Sequence, residues 1–113
     1  MALALNVFRT ITKIASPTFV GIYTAPIGYT GVVLLSQVTN IDTVPHTVSF
    51  AHQRTTAGVA VTTEILRDFA IPANDSANLL AGKLVLEEKD VLLLSANTST
   101  GIKYIGSILE TLN

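Results

Sequence analysis

Apolar and polar positions alternate along most of this chain, in runs of Val, Ile, Leu, Thr and Tyr punctuated by Gly, Pro, Asn, Asp and Ser. A period of two sends successive side chains to opposite faces of a strand, and the breakers mark where each strand stops. The pattern predicts about eight strands, near residues 7–14, 19–24, 31–39, 47–52, 63–71, 79–86, 91–96 and 102–110. Strand starts every 10 to 15 residues or so suit a β-sandwich, jelly roll or small barrel, since an α/β plan would need helices between the strands. Only residues 74–80 offer a short helix, with Asn74, Asp75 or Ser76 as its cap and Gly82 as its stop.

The turns have readable chemistry. Pro26 presets its own φ and Gly28 accepts a positive one, so residues 25–29 form a tight connection. Pro45 lacks a ladder donor and belongs before a strand. Ile71-Pro-Ala-Asn-Asp-Ser reads as a loop passing from one sheet to the other, and Glu87-Glu88-Lys89-Asp90 as a solvated hairpin turn. Residues 55–63, small and uncharged, fit either a long loop or an extra hairpin. Two strands, Val32-Val-Leu-Leu and Val91-Leu-Leu-Leu, carry apolar residues on both faces. They are either central and doubly covered, or they mark a contact between subunits.

Composition sharpens this last point. The chain has 113 residues, enough for one domain with one core, and neither an internal repeat nor a second domain is visible. Its charged fraction is 13%, against roughly 25% in an average globular protein, while 49% of residues are hydrophobic. A surface so poor in charge resists association badly, which predicts that other subunits cover part of it. Seven scattered basic residues and a net charge of −1 offer no patch for a phosphate backbone, so no nucleic-acid partner is expected. No segment reaches the ~20 apolar residues of a membrane helix, and Met1-Ala-Leu-Ala-Leu lacks the basic start of a signal peptide. A soluble protein, or part of a soluble assembly, is expected, with no membrane partner.

Candidate chemistry is sparse. Without cysteine there is no disulfide, thiolate nucleophile or Cys-based zinc site. His46 and His52 stand about 20 Å apart if one strand carries both at ~3.3 Å per residue, too far to share a metal. A solvated strand face is predicted for them. No Gly-x-Ser-x-Gly elbow occurs, and Gly82-Lys83 lacks a glycine-rich phosphate loop, so Lys83 is expected on a strand face. A carboxylate-pair hydrolase would need two acids about 5–9.5 Å apart, for which Glu64 and Asp75 are the residues to test. Tyr29 and Tyr104 are the corresponding candidates for a carbohydrate-stacking groove. Neither a catalytic residue, a cofactor nor a metal is predicted.

The order of segments carries a resemblance. Ile22-Tyr-Thr-Ala-Pro-Ile-Gly-Tyr-Thr-Gly-Val-Val, Val38-Thr-Asn-Ile-Asp, Leu66-Arg-Asp-Phe-Ala-Ile-Pro-Ala-Asn-Asp-Ser, Gly82-Lys-Leu-Val-Leu-Glu-Glu-Lys-Asp and Ser107-Ile-Leu-Glu together resemble small virion structural proteins of tailed bacteriophages, across residues 8–110. The resemblance implies an all-β, single-domain, jelly-roll-like sandwich over residues 7–113 with an amino-terminal arm at 1–6. It also implies a non-enzymatic role in the virion, favoured as a capsid decoration or cement protein on the major capsid protein. A neck, collar, baseplate or fibre-attachment subunit, or a carbohydrate-binding module at a fibre, is the alternative. A homo-oligomer is expected, with loops and termini as contacts: Leu3, Leu5, Ile27, Tyr29 and Thr30.

Overall fold

A computed structural model describes residues 5–113. Nine strands follow in order: β1 (Asn6–Ile14), β2 (Val20–Thr24), β3 (Tyr29–Asn40), β4 (His46–Thr56), β5 (Val59–Ile71), β6 (Ser76–Asn78), β7 (Leu84–Leu86), β8 (Val91–Ala96) and β9 (Ile102–Leu112). They form two antiparallel sheets, β1-β9-β3 with β6 and β7 both on the far side of β3, and β2-β8-β4-β5.

One turn organises the whole chain. Ala57 and Gly58 both have positive φ (53° and 80°), the backbone that a two-residue type I′ hairpin requires. From that turn outward, the two halves of the chain pair in nearly constant register. Thr56 faces Val59, Gln37 faces Asn78, Val20 faces Leu94 and Asn6 faces Thr111. The pairs β4·β5, β3·β6/β7, β2·β8 and β1·β9 therefore belong to one long antiparallel ribbon, whose successive segments fall alternately in the two sheets. That winding is a jelly roll. Residues 55–63 are thus a hairpin, and Gln53–Val91 is the last pairing of β4 with β8, so the tip projects beyond the sandwich as a two-stranded arm.

The core fills the space between the sheets. Val33, Val38, Ile102 and Ile108 from one sheet meet Val48, Phe50, Leu92 and Leu94 from the other, all essentially buried. Each such side chain contributes roughly 1.5–3 kcal/mol relative to exposure. The Phe50 and Tyr104 rings lie 6.1 Å apart across the layers, and the Tyr104 hydroxyl exchanges a 2.8 Å hydrogen bond with buried Ser36.

Several expectations need correction. Of the strand predicted over 79–86 only β7 forms, and β6 lies just before it. Between them Leu79 turns into the core, its N–H donating to Ser36 O at 2.7 Å, and pulls residues 79–83 off the ladder. Lys83 lies in that irregular stretch and not on a strand. The helix predicted over 74–80 does not form. Asn74 adopts positive φ (57°), in a turn closed by Asp75 N donating to Pro72 O, and Ser76–Asn78 then pairs with β3. Residues 25–29 turn as read, with Gly28 at φ 87° and Tyr29 N donating to Pro26 O at 3.1 Å.

Candidate assembly surface

Residues opposite one another in an antiparallel ladder share a face. The outward rows of the first sheet can therefore be read from its register. One row crosses four strands as Phe8, Leu109, Val32 and Val85. The next contain Thr10, Ser107 and Leu35, then Thr12, Ile105, Gln37 and Asn78, then Ile14, Lys103, Thr39 and Ser76. Lys103 is the one charged side chain on these rows. Phe8 is 74% exposed and Val85 57%. A solvated antiparallel face normally carries polar residues, and a continuous apolar row of this kind marks a contact surface.

A bulge in β3 adds to it. The pairing with β9 shifts between Val33 and Leu35, so Leu34 is an extra residue. The shift keeps Gly31 and Val33 inward on one side of the bulge and Ser36, Val38 and Asn40 inward on the other. Its cost is that two consecutive leucines, Leu34 and Leu35, face outward and stay exposed. Beside them, where strand pairing lapses between β6 and β7, lies a groove of about 480 Å³ lined by Leu34, Leu35, Leu80 and Lys83. The doubly apolar run at residues 32–35 is thus not covered on its outer side. The run at 91–94 divides differently: Leu92 and Leu94 are core, while Val91 and Leu93 are half-buried.

The expected contact residues gather at one end of the molecule, apart from Leu3, which lies outside the described residues. Leu5 and Tyr29 flank Leu112. Leu112 N donates to Leu5 O at 2.8 Å, and Leu112 faces Tyr29 across the ladder. Thr30 donates its hydroxyl to Asn113 Oδ1 at 2.6 Å, and Asn113 N donates to Gly28 O. Ile27, at the tip of that turn, is 73% exposed. Gly28 N donates to Glu88 Oε2 at 2.8 Å, tying this turn to the acidic one.

The acidic turn itself is not wholly solvated. Asp90 is 2% exposed and receives Arg54 at both oxygens (3.0 and 2.7 Å), His52 Nε2 at 2.9 Å and the Glu87 N–H at 2.9 Å. Burial pushes its carboxyl up, but the hydrogen bonds from Arg54, His52 and Glu87 outweigh burial and hold it at about 2. Arg54 is where β4 leaves the sandwich, so this cluster roots the projecting hairpin. The histidines do not sit on a solvated face either. His46, at the other end of β4, contacts Asp42 at 2.7 Å and Asn97 at 3.0 Å, each histidine holding its own carboxylate.

Glu110 is a second buried acid, bonded to Arg9 Nε at 2.9 Å and to the Tyr23 hydroxyl. Burial, then the bond to Glu110, raises Tyr23 well above its ordinary value. Tyr104 is raised by burial, partly offset by Ser36. Both rings are enclosed, so Tyr104 cannot stack on a sugar from solvent. Sequence reasoning missed Phe8, Val85, Ile105 and Leu109 as surface residues; only the doubly apolar run at 32–35 signalled that face.

The fold and this surface define an antiparallel β-sandwich of jelly-roll topology with one outer face poor in charge. No protein-family model and no curated protein matches the sequence. Solved structures do match. A chain in the structure of infectious bursal disease virus Gx strain superposes with a TM-score of 0.60 at 13% identity, over 96% of this chain and 32% of that one. The T13 particle of the same virus gives 0.56 at 10% identity, over 97% and 32%. A chain in the acidic stable capsid structure of Helicobacter pylori bacteriophage KHP30 gives 0.56 at 10% identity, over 96% of this chain and 89% of that one. The chain thus spans about a third of the bursal virus chains and most of the phage one. At these identities the likeness is one of fold.

Proposed function

We propose that this protein is a non-enzymatic structural subunit of a virion, a capsid decoration or cement protein of a tailed phage that binds the major capsid protein. The observation that carries the reading is the combination of a jelly roll with an outer sheet face bearing a row of exposed apolar residues. An isolated soluble sandwich gains nothing from exposing Phe8, Val85, Leu34 and Leu35 together, whereas a lattice subunit buries them. Supporting it is the match to a chain of similar extent in a phage capsid. In this reading Leu5, Ile27, Tyr29 and Thr30 form a second contact at the turn end, joined by the amino-terminal arm that includes Leu3. Neck, collar, baseplate or fibre-attachment positions are the competing sites on the particle.

The test is add-back. Particles assembled without this protein are incubated with the recombinant chain and sedimented through a gradient. Saturable co-sedimentation with heads, lost with Phe8→Asp or Ile27→Asp, is the expected result. Binding to tails alone would move the protein off the capsid, and binding to neither would overturn the reading.

A further inference from the structure

We infer that the outer face of the β1-β9-β3 sheet docks a second copy of this chain, about a two-fold axis running along the strands, with Phe8 of each copy packed on Val85 beside the groove of the other. The inference rests on the assembly reading of that face and adds its occupant and geometry. Three observations carry it.

The first is area. Three inter-strand spacings of ~4.8 Å and nine residues at ~3.3 Å give a face of roughly 15–20 by 30 Å. That is about 450–600 Å² per partner, the size of the smaller specific interfaces, which total about 1,000–1,200 Å². The second is the placement of knob and hole. Phe8 protrudes from β1, one edge of the face, while Val85 and the groove of Leu34, Leu35 and Leu80 lie towards the opposite edge. A two-fold along the strands keeps each residue at its own height, so each copy's β1 lies over its partner's β7 and each Phe8 meets the partner's Val85, beside the groove. Such reciprocity is the signature of an isologous contact. The third is charge. Lys103 on β9, the charged residue of the outward rows, comes opposite the partner's β3 at the level of Thr39 and so meets a hydroxyl and not its own copy, while Lys83 lines the groove at the opposite edge. The bulges of β5 (at Val48/Phe50 and Phe50/Ala51), together with positive φ at Asp68, bend the long free edge of the other sheet, and so disfavour the alternative of edge-to-edge pairing there.

The experiment uses the absence of cysteine in the chain. Phe8 and Val85 stand three inter-strand spacings apart within one sheet, roughly 14 Å, beyond the ~7 Å Cα limit for an intramolecular disulfide. The double variant Phe8→Cys/Val85→Cys, oxidised in dilute solution, is expected to give a covalent dimer that neither single variant gives. Sedimentation velocity of the wild type is expected to show a dimer that Phe8→Asp and Leu34→Asp each dissociate at least tenfold, with circular dichroism unchanged, while Ile27→Asp leaves it intact. A wild-type monomer at millimolar concentration overturns the inference while leaving the virion reading standing. A disulfide formed by Phe8→Cys alone overturns the axis. A dimer that behaves as described, from a protein absent from particles, overturns the virion reading and leaves this one.

Discussion

Asp90→Asn tests whether charge or packing holds the projecting hairpin. The carboxylate is enclosed, its side chain 3% exposed, and every partner it has is a donor: Arg54 twice, His52 and the Glu87 N–H. The amide presents a donor where two acceptors stood, so one of these partners faces N–H against N–H. Held at about 2 against an ordinary 3.8, the carboxyl is worth roughly 2 kcal/mol of stability as an anion. Because the folded value is depressed, that contribution is complete above about pH 5 and is lost as pH falls through about 2. Urea unfolding followed by circular dichroism at fixed protein concentration is expected to show a gap of about 2–3 kcal/mol between wild type and variant at pH 7. At pH 2 the gap should shrink below ~1 kcal/mol, since the wild type has then lost the same charge. Amide exchange should accelerate first in residues 54–61, which have no support from β8. A gap that acid leaves unchanged would mean that Asp90 acts by shape alone, and would refute the reasoning.

Other outcomes follow from the same geometry. Gly106→Ala places a Cβ against the Tyr104 hydroxyl and 2.8 Å from its ring carbon, in a ring enclosed on all sides; it is expected to cost more than ~3 kcal/mol or prevent folding, read by denaturation. Gly101→Ala meets the far ends of two side chains, the half-exposed Asp42 carboxylate and its partner His46 Nε2 at 2.9 Å, which can shift together, and should cost about 1–2 kcal/mol; equal effects at the two glycines would contradict the packing described. Tyr104→Phe orphans the buried Ser36 hydroxyl and should cost about 1–2 kcal/mol, with Ser36→Ala in the same chain recovering part of it. Ala57→Asn places a residue tolerant of positive φ in the type I′ turn and should stabilise by about 0.5–1 kcal/mol; a loss would argue against that turn.

Much of the fold was legible because period-two alternation is local. Residues 7–14, 91–96 and 102–110 were read as strands within a residue or two of their ends, and Pro26/Gly28 marked a turn by chemistry alone. What the alternation could not carry was partnership. The stretch at 55–63 looked soft because its Val, Ala and Thr residues are small and uncharged; its importance lies in being equidistant from both ends of the ribbon. The run at 79–86 looks like one strand because Leu79, Leu80 and Leu84–Leu86 are all apolar. Leu79 is drawn into the core from outside the ladder, a tertiary choice that overrides the local pattern. Asp90 reads as one more turn acid until β4 folds back and brings His52 and Arg54 onto it. The outer face was hidden for the same reason, since Phe8, Leu109, Val32 and Val85 come from four strands and align only through register.

The most direct test of the central proposal, that this sandwich is a building block of a particle, is its copy number by quantitative mass spectrometry in gradient-purified virions from cells that express it. A fixed ratio to the major capsid protein, retained after high-salt washing, is the result expected of a subunit that buries an apolar face. Absence from the particles, with the protein found free in the infected cell, would contradict it.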